Sequence, residues 1–206
     1  MLKEAFYTLF SVYSQDDDFI KSSWQEIANA HQQKGRYYHN LKHLEHLYRC
    51  LVLVKKEIQD WEIVLIAIFY HDYVYNILKK DNEKQSAKKA ALILDRLSFD
   101  KTRIDLCVEM INETKGHSIS DNTDINHFTD ADLSILGGDW QFYKTFAENV
   151  RQEYRFYPDF MYKKGRLNML NHFLMMPRIF KTHYFFNQFE TKARGNLQRE
   201  IELLSK

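Results

Sequence analysis

The segment "IAIFYHDYVY", Ile66–Tyr75, ends a block of apolar residues and runs directly into a histidine–aspartate pair, His71-Asp72, before returning to aromatics. The seven residues from Val64 to Tyr70 are all apolar, with no polar alternation and no Gly or Pro, which reads as an element buried on every side. An ionised carboxylate taken out of water at the end of such an element is costly unless something compensates it. His71 and Asp72 therefore demand a proton, an ion pair or a metal ion, and the rest of the chain has to supply the partner.

Working outward, helical spacing dominates. Leu41, Leu44, Leu47/Tyr48 and Leu51 step by threes and fours, as do Ile104, Val108 and Ile111. Only 6 Gly and 2 Pro punctuate 206 residues, and no segment alternates as a half-buried strand would. Ser22-Ser23 and Asp81-Asn82 read as N-caps, and Gly35, Gly116, Gly137-Gly138 and Gly165 as breaks between helices. The expectation is an all-α bundle of about nine or ten helices forming a single domain over residues 1–206, without internal repeats.

Composition narrows the function. A chain 45% hydrophobic and 15% aromatic has ample material for a core. A net charge of +1 gives no general attraction to a nucleic-acid polymer or a membrane. From Arg151 onward, however, eleven Lys/Arg face five Asp/Glu, a basic excess that reads for most of those residues as solvated helix faces and otherwise as a surface for a small phosphorylated partner. Cys50 and Cys107 form no CxxC, which fits a reducing, cytoplasmic setting. "MLKEAFYTLF" carries Lys3 and Glu4 where a leader would be apolar, and no apolar run approaches a membrane span.

The partner for His71 and Asp72 emerges upstream in "RYYHNLKHLEH", where His39, His43 and His46 recur at i, i+4 and i+7, one stripe of a helix. His46 alone reads as a surface or hydrogen-bonded residue, whereas the spacing of His39 and His43 points to a shared site. Downstream, "FTDADLSILGG" offers Asp130 and Asp132. Two residues apart, they point to different sides of a helix, so Asp132, set among apolar neighbours, is the inward candidate and Asp130 a helix cap. His43, His71, Asp72 and Asp132 together mix imidazole and carboxylate without thiolate, a donor set suited to Mn, Fe, Co, Ni, Mg or Zn.

This H…HD…D order on a helical background resembles the HD superfamily of metal-dependent phosphohydrolases. "YHNLKH" is similar to the YHNxxH of cyclic-nucleotide phosphodiesterases, and "ADLS" to the segment carrying their last metal-binding Asp. Over nearly the whole chain the closer similarity is to a small bacterial group of predicted metal-dependent HD phosphohydrolases, through "YHNLKHLEHL", "HDYVYN", "NEKQSA", "ETKGH", "DADLSILG", "VRQEY" and "ETKARGNL". The resemblance implies one or two divalent ions per chain and hydrolysis of a nucleotide or other small phosphate ester by metal-activated water. By position, His43, His71, Asp72 and Asp132 are then ligands and His39 the proton donor. A second alignment within the superfamily makes His39 itself a ligand. The alternative is a non-catalytic metal- or nucleotide-binding protein on the same scaffold.

Substrate contacts are expected from Lys115 and His117 in "NETKGH" and from Arg151, Tyr154, Arg166 and Arg194, because guanidinium groups suit phosphate. Glu83 is a candidate for orienting water, although an acid in the first turn of a helix has a structural reason to be there. The runs "YPDFMY" and "HYFFNQF" read mainly as core, with part of Tyr184, Phe185 and Phe186 left for a contact between two copies of the chain.

Overall fold

In the computed structural model, which describes residues 1–205, the chain forms ten α-helices and two short 3-10 turns, and no strand occurs among the described residues. The helices are α1 (Leu2–Tyr13), α2 (Asp17–His31), α3 (Leu41–Leu53), α4 (Trp61–Tyr70), α5 (Asn82–Arg96), α6 (Lys101–Glu113), α7 (Thr123–Leu133), α8 (Trp140–Glu153), α9 (Asp159–Met175) and α10 (His183–Ser205). The 3-10 turns cover Lys55–Glu57 and Ser134–Gly137. The all-α class and the helix number expected from the sequence are both present. Among the described residues, no helix is long and apolar enough to cross a membrane. Contacts gather into two compact units, residues 1–129 and the residues from 130 on, the division falling within α7.

The first unit is organised by α4. Ile63 to Tyr70 are all buried, which is why this helix shows no polar face. Burying each such large apolar side chain contributes about 1.5–3 kcal/mol before chain entropy is set against it. Helices α3, α5 and α6 pack on α4, and Phe6 of α1 meets Phe69 edge-on with ring centres 5.1 Å apart. The start of α4 is fixed twice: Asp60 accepts from the Ile63 amide (3.2 Å), and buried Asp124 accepts from the amides of Gln59 (2.9 Å) and Asp60 (2.8 Å).

Local side-chain chemistry moves several boundaries from where spacing alone put them. Asp16, not Ser22-Ser23, caps α2 by accepting from the Phe19 amide at 2.9 Å, and the two serines lie inside that helix. Asn40 caps α3 through the Lys42 amide (2.9 Å), so His39 precedes the helix and the three-histidine stripe is interrupted. Asp81 stands at the start of α5 as expected, without a side-chain cap bond. Gly35, at φ 107°, does separate two helices, because few other residues adopt that backbone. Gly165 does not: it sits within α9, where one glycine costs less than its helix-forming neighbours return. A Cβ added at Gly165 meets no atom within 4 Å, so Gly165→Ala should raise stability by about 0.5–1 kcal/mol, read as a higher urea midpoint.

In the second unit, the Ser134–Gly137 turn lies against α10 so closely that a Cβ on Gly137 would stand 2.5 Å from the Cβ of Phe189. Asn196 seals this contact by donating to the carbonyls of Leu136 and Gly138, both at 2.8 Å. Asp130 is a cap, but of a different helix from the one the sequence suggested. Fully buried, it accepts from the amides of Lys181 (2.9 Å) and Thr182 (2.7 Å) and from the Thr182 hydroxyl, and it pairs with the Lys181 ammonium at 3.0 Å, fixing the entry to α10. Of the aromatic run at the start of α10, Phe185 is buried, and Tyr184 and Phe186 are half-buried.

Candidate metal centre

The end of α4 presents the site. His71 closes the helix, its amide bonded to the Ala67 carbonyl at 2.9 Å, and Asp72 follows in the turn that the Tyr73 amide makes to the Tyr70 carbonyl (3.0 Å). His43 arrives from the first turn of α3, buried beside it. His43 Nε2 and His71 Nε2 are 3.1 Å apart, Asp72 Oδ2 is 3.2 Å from His71 Nε2, and it is 3.6 Å from His43 Nε2.

The protonation pattern shows what this cluster needs. A carbonyl only accepts, so the 3.2 Å bond from His71 Nδ1 to the Ile68 carbonyl places the proton of the neutral ring on Nδ1 and leaves a lone pair on Nε2. Burial works against ionisation of Asp72, but the imidazoles of His71, His39 and His43 outweigh it and hold the carboxyl well below the usual carboxylate range. An ionised oxygen and an imidazole lone pair at 3.2 Å repel each other unless a cation lies between them or one ring becomes charged. Two donors on one ion at bonds of about 2.1 Å stand about 3.0–3.4 Å apart, depending on coordination angle. The separations of 3.1 and 3.2 Å fall in that range and the third, 3.6 Å, lies just beyond it, so His43, His71 and Asp72 are placed where they could hold a metal ion.

His39 borders this group from the loop before α3. Its ring stacks on Tyr75 with centres 4.3 Å apart, meets Tyr38 edge-on and lies 5.9 Å from the His43 ring. Asp132 lies on α7, one helical turn beyond Phe128, whose ring meets that of His71 edge-on at 5.6 Å. His46 turns to Cys50, with Nε2 and Sγ 3.7 Å apart.

The residues expected to touch substrate have partners within the fold. Exposed Lys115 donates to the Lys80 carbonyl at 2.6 Å and lies 3.8 Å from Glu83, which is in the first turn of α5. His117, at φ 51°, closes the turn after α6 through its amide to the Glu113 carbonyl. Arg166 is buried and forms a two-point ion pair with Glu200 (2.8 and 2.9 Å). Arg151 binds Asp159 and the carbonyls of Tyr154 and Tyr157 beyond the end of α8. Arg194 holds Glu190 and the carbonyls of Leu174, Met176 and Pro177. Tyr154 packs its ring against Tyr157 and Tyr162. These three arginines organise the second unit: each guanidinium engages the fold's own acids and carbonyls.

Spacing also passed over Arg36, in the same stretch as His39 and His43. It is buried beneath the site, and the only sequence signal is one arginine directly after the Gly35 break.

His31, near the end of α2, illustrates what burial does to an imidazole here. Burial pushes its pKa down to about 3, the bond from Nδ1 to the Ile27 carbonyl (2.9 Å) opposes this, and the Arg36 charge adds to the lowering. Because the folded value lies below the unfolded one, the unfolded chain binds the proton first, and stability falls as pH drops from about 6.5 toward 3. Between pH 7 and pH 4 this group should remove about 3 kcal/mol from the metal-free protein. His31→Leu should lessen the acid loss in urea unfolding by that share.

No protein-family profile, curated protein or solved structure matches the chain.

Proposed function

We propose that this protein is a metal-dependent phosphohydrolase acting on a nucleotide or another small phosphate ester. The observation that carries the reading is the convergence of three donors, His43, His71 and Asp72, whose facing atoms lie within 3.6 Å of one another. Asp132, which the resemblance in sequence names, is our candidate for a further ligand. A divalent ion held there supplies Lewis acidity and a water of lowered pKa.

The chain's own residues do the rest. Asp72 brings the negative charge that balances a cation. The Ile68 carbonyl fixes the His71 tautomer with Nε2 toward the other donors. His39, clamped against Tyr75, holds an imidazole beside the donors without being on α3, which suits protonation of a leaving oxygen.

The test is to measure metal content by inductively coupled plasma mass spectrometry on protein purified without a His-tag. The same protein is then assayed against nucleoside monophosphates, cyclic nucleotides and nitrophenyl phosphate mono- and diesters. One or two transition metals per chain with turnover of any of these esters supports the proposal. A metal-loaded chain that turns over none of them points to the binding-protein alternative, and a chain that takes up no divalent metal overturns the reading.

A further inference from the structure

Arg36 stands between the two segments that deliver His39 and Asp72. Its Nη1 donates to the Asp72 carbonyl at 2.6 Å and to the His39 carbonyl at 3.2 Å, and Nη2 donates to the Tyr73 carbonyl at 2.9 Å. The guanidinium carbon lies 5.3 Å from the centre of the Tyr75 ring, the ring on which His39 stacks. The residue is 9% exposed. A buried cation is costly and needs a return. Here its bonds go to main-chain oxygens on both sides of the site, which the two separated nitrogens of a planar fork reach together and the single nitrogen of an ammonium reaches less well.

We infer that Arg36 is a positioning residue: it ties the His39 loop to the Asp72 turn, fixing the Asp72 carboxylate toward the two histidines. Asp72 follows the last helical turn of α4 and is held on one side by that helix, so its backbone orientation depends on what grips the turn from the other side. The Tyr73 and Val74 amides are bonded to the Tyr70 carbonyl and the Ser86 hydroxyl, both at 3.0 Å, and so report on whether the turn stays closed. The inference rests on the metal-centre reading for its consequence, but the tie between the two segments can be measured without any ion.

The experiment compares wild type with Arg36→Lys, which keeps the charge and removes the fork, and with Arg36→Met. Circular dichroism and melting first establish that each variant is folded; if Arg36→Met is not, the lysine variant carries the test. In metal-free protein, amide exchange followed by NMR should accelerate about tenfold or more at Tyr73 and Val74 in Arg36→Lys, with Ile66 to Phe69 unchanged. With Co2+ as probe, the same variant should bind about 10–100-fold more weakly and show an altered visible spectrum. Unchanged exchange at Tyr73 and Val74 overturns the inference, and so does faster exchange with wild-type Co2+ affinity and spectrum. A wild type that takes up no Co2+ overturns the metal-centre reading instead, and the exchange rates alone then decide the role of Arg36.

Discussion

Asp72→Ala should purify with less than a tenth of the wild-type metal content and no detectable ester hydrolysis, while its helical circular dichroism is unchanged. The carboxylate lies within 3.6 Å of both His43 Nε2 and His71 Nε2, and without it the two imidazoles, 3.1 Å apart, lose the negative charge placed nearest to them to balance a dication. The fold has little to lose, since Asp72 lies beyond the end of α4 and retains its main-chain bond to Arg36. Wild-type metal and turnover in this variant would remove the proposed centre. His39→Ala is the companion: full metal content with turnover reduced by about 10²–10⁴-fold assigns it to proton donation, and loss of the ion assigns it to ligation.

Arg166→Met should be the most damaging single change to the second unit, costing about 3–5 kcal/mol. Arg166 and Glu200 are both buried, and the carboxylate also receives the Tyr143 hydroxyl in a short hydrogen bond. Removing the guanidinium leaves an acid inside the protein with one neutral donor. Burial and the Glu200 charge already push the Tyr143 hydroxyl far above its ordinary pKa, so it cannot take over as a proton source for that acid at neutral pH. The measurement is the urea midpoint of Arg166→Met beside the double variant Arg166→Met/Glu200→Gln. The double variant should recover a large part of the loss, because it removes the unpaired charge. A single variant within about 0.5 kcal/mol of wild type would show that the pair contributes little.

The fold class was legible because its signal is local. Sparse Gly and Pro, helical spacing around Leu41–Leu51 and an unbroken apolar run at Val64–Tyr70 each constrain one element on its own. Boundaries were less legible where two residue types compete for the same task. Ser22-Ser23 has cap chemistry, but the acidic run Asp16–Asp18 takes the cap six residues earlier, and Asn40 starts α3 one residue after His39. His71-Asp72 announced itself through its apolar approach, and His43 through spacing. The engagements of Arg36 with Asp72 and of Arg166 with Glu200 were not readable, since the partners lie 36 and 34 residues apart and only the folded chain reveals that a guanidinium is already engaged.

Because every residue of α4 from Ile63 to Tyr70 is enclosed, opening that helix exposes apolar side chains of the core of the first unit. The histidine at its end is thereby coupled to the cooperative transition of that unit, and binding and unfolding draw on the same equilibrium. An ion present at a hundred times its dissociation constant should then add about 2.7 kcal/mol to the melting equilibrium. A thermal scan across metal concentrations becomes an affinity titration, with His71 as the link between solution chemistry and the core.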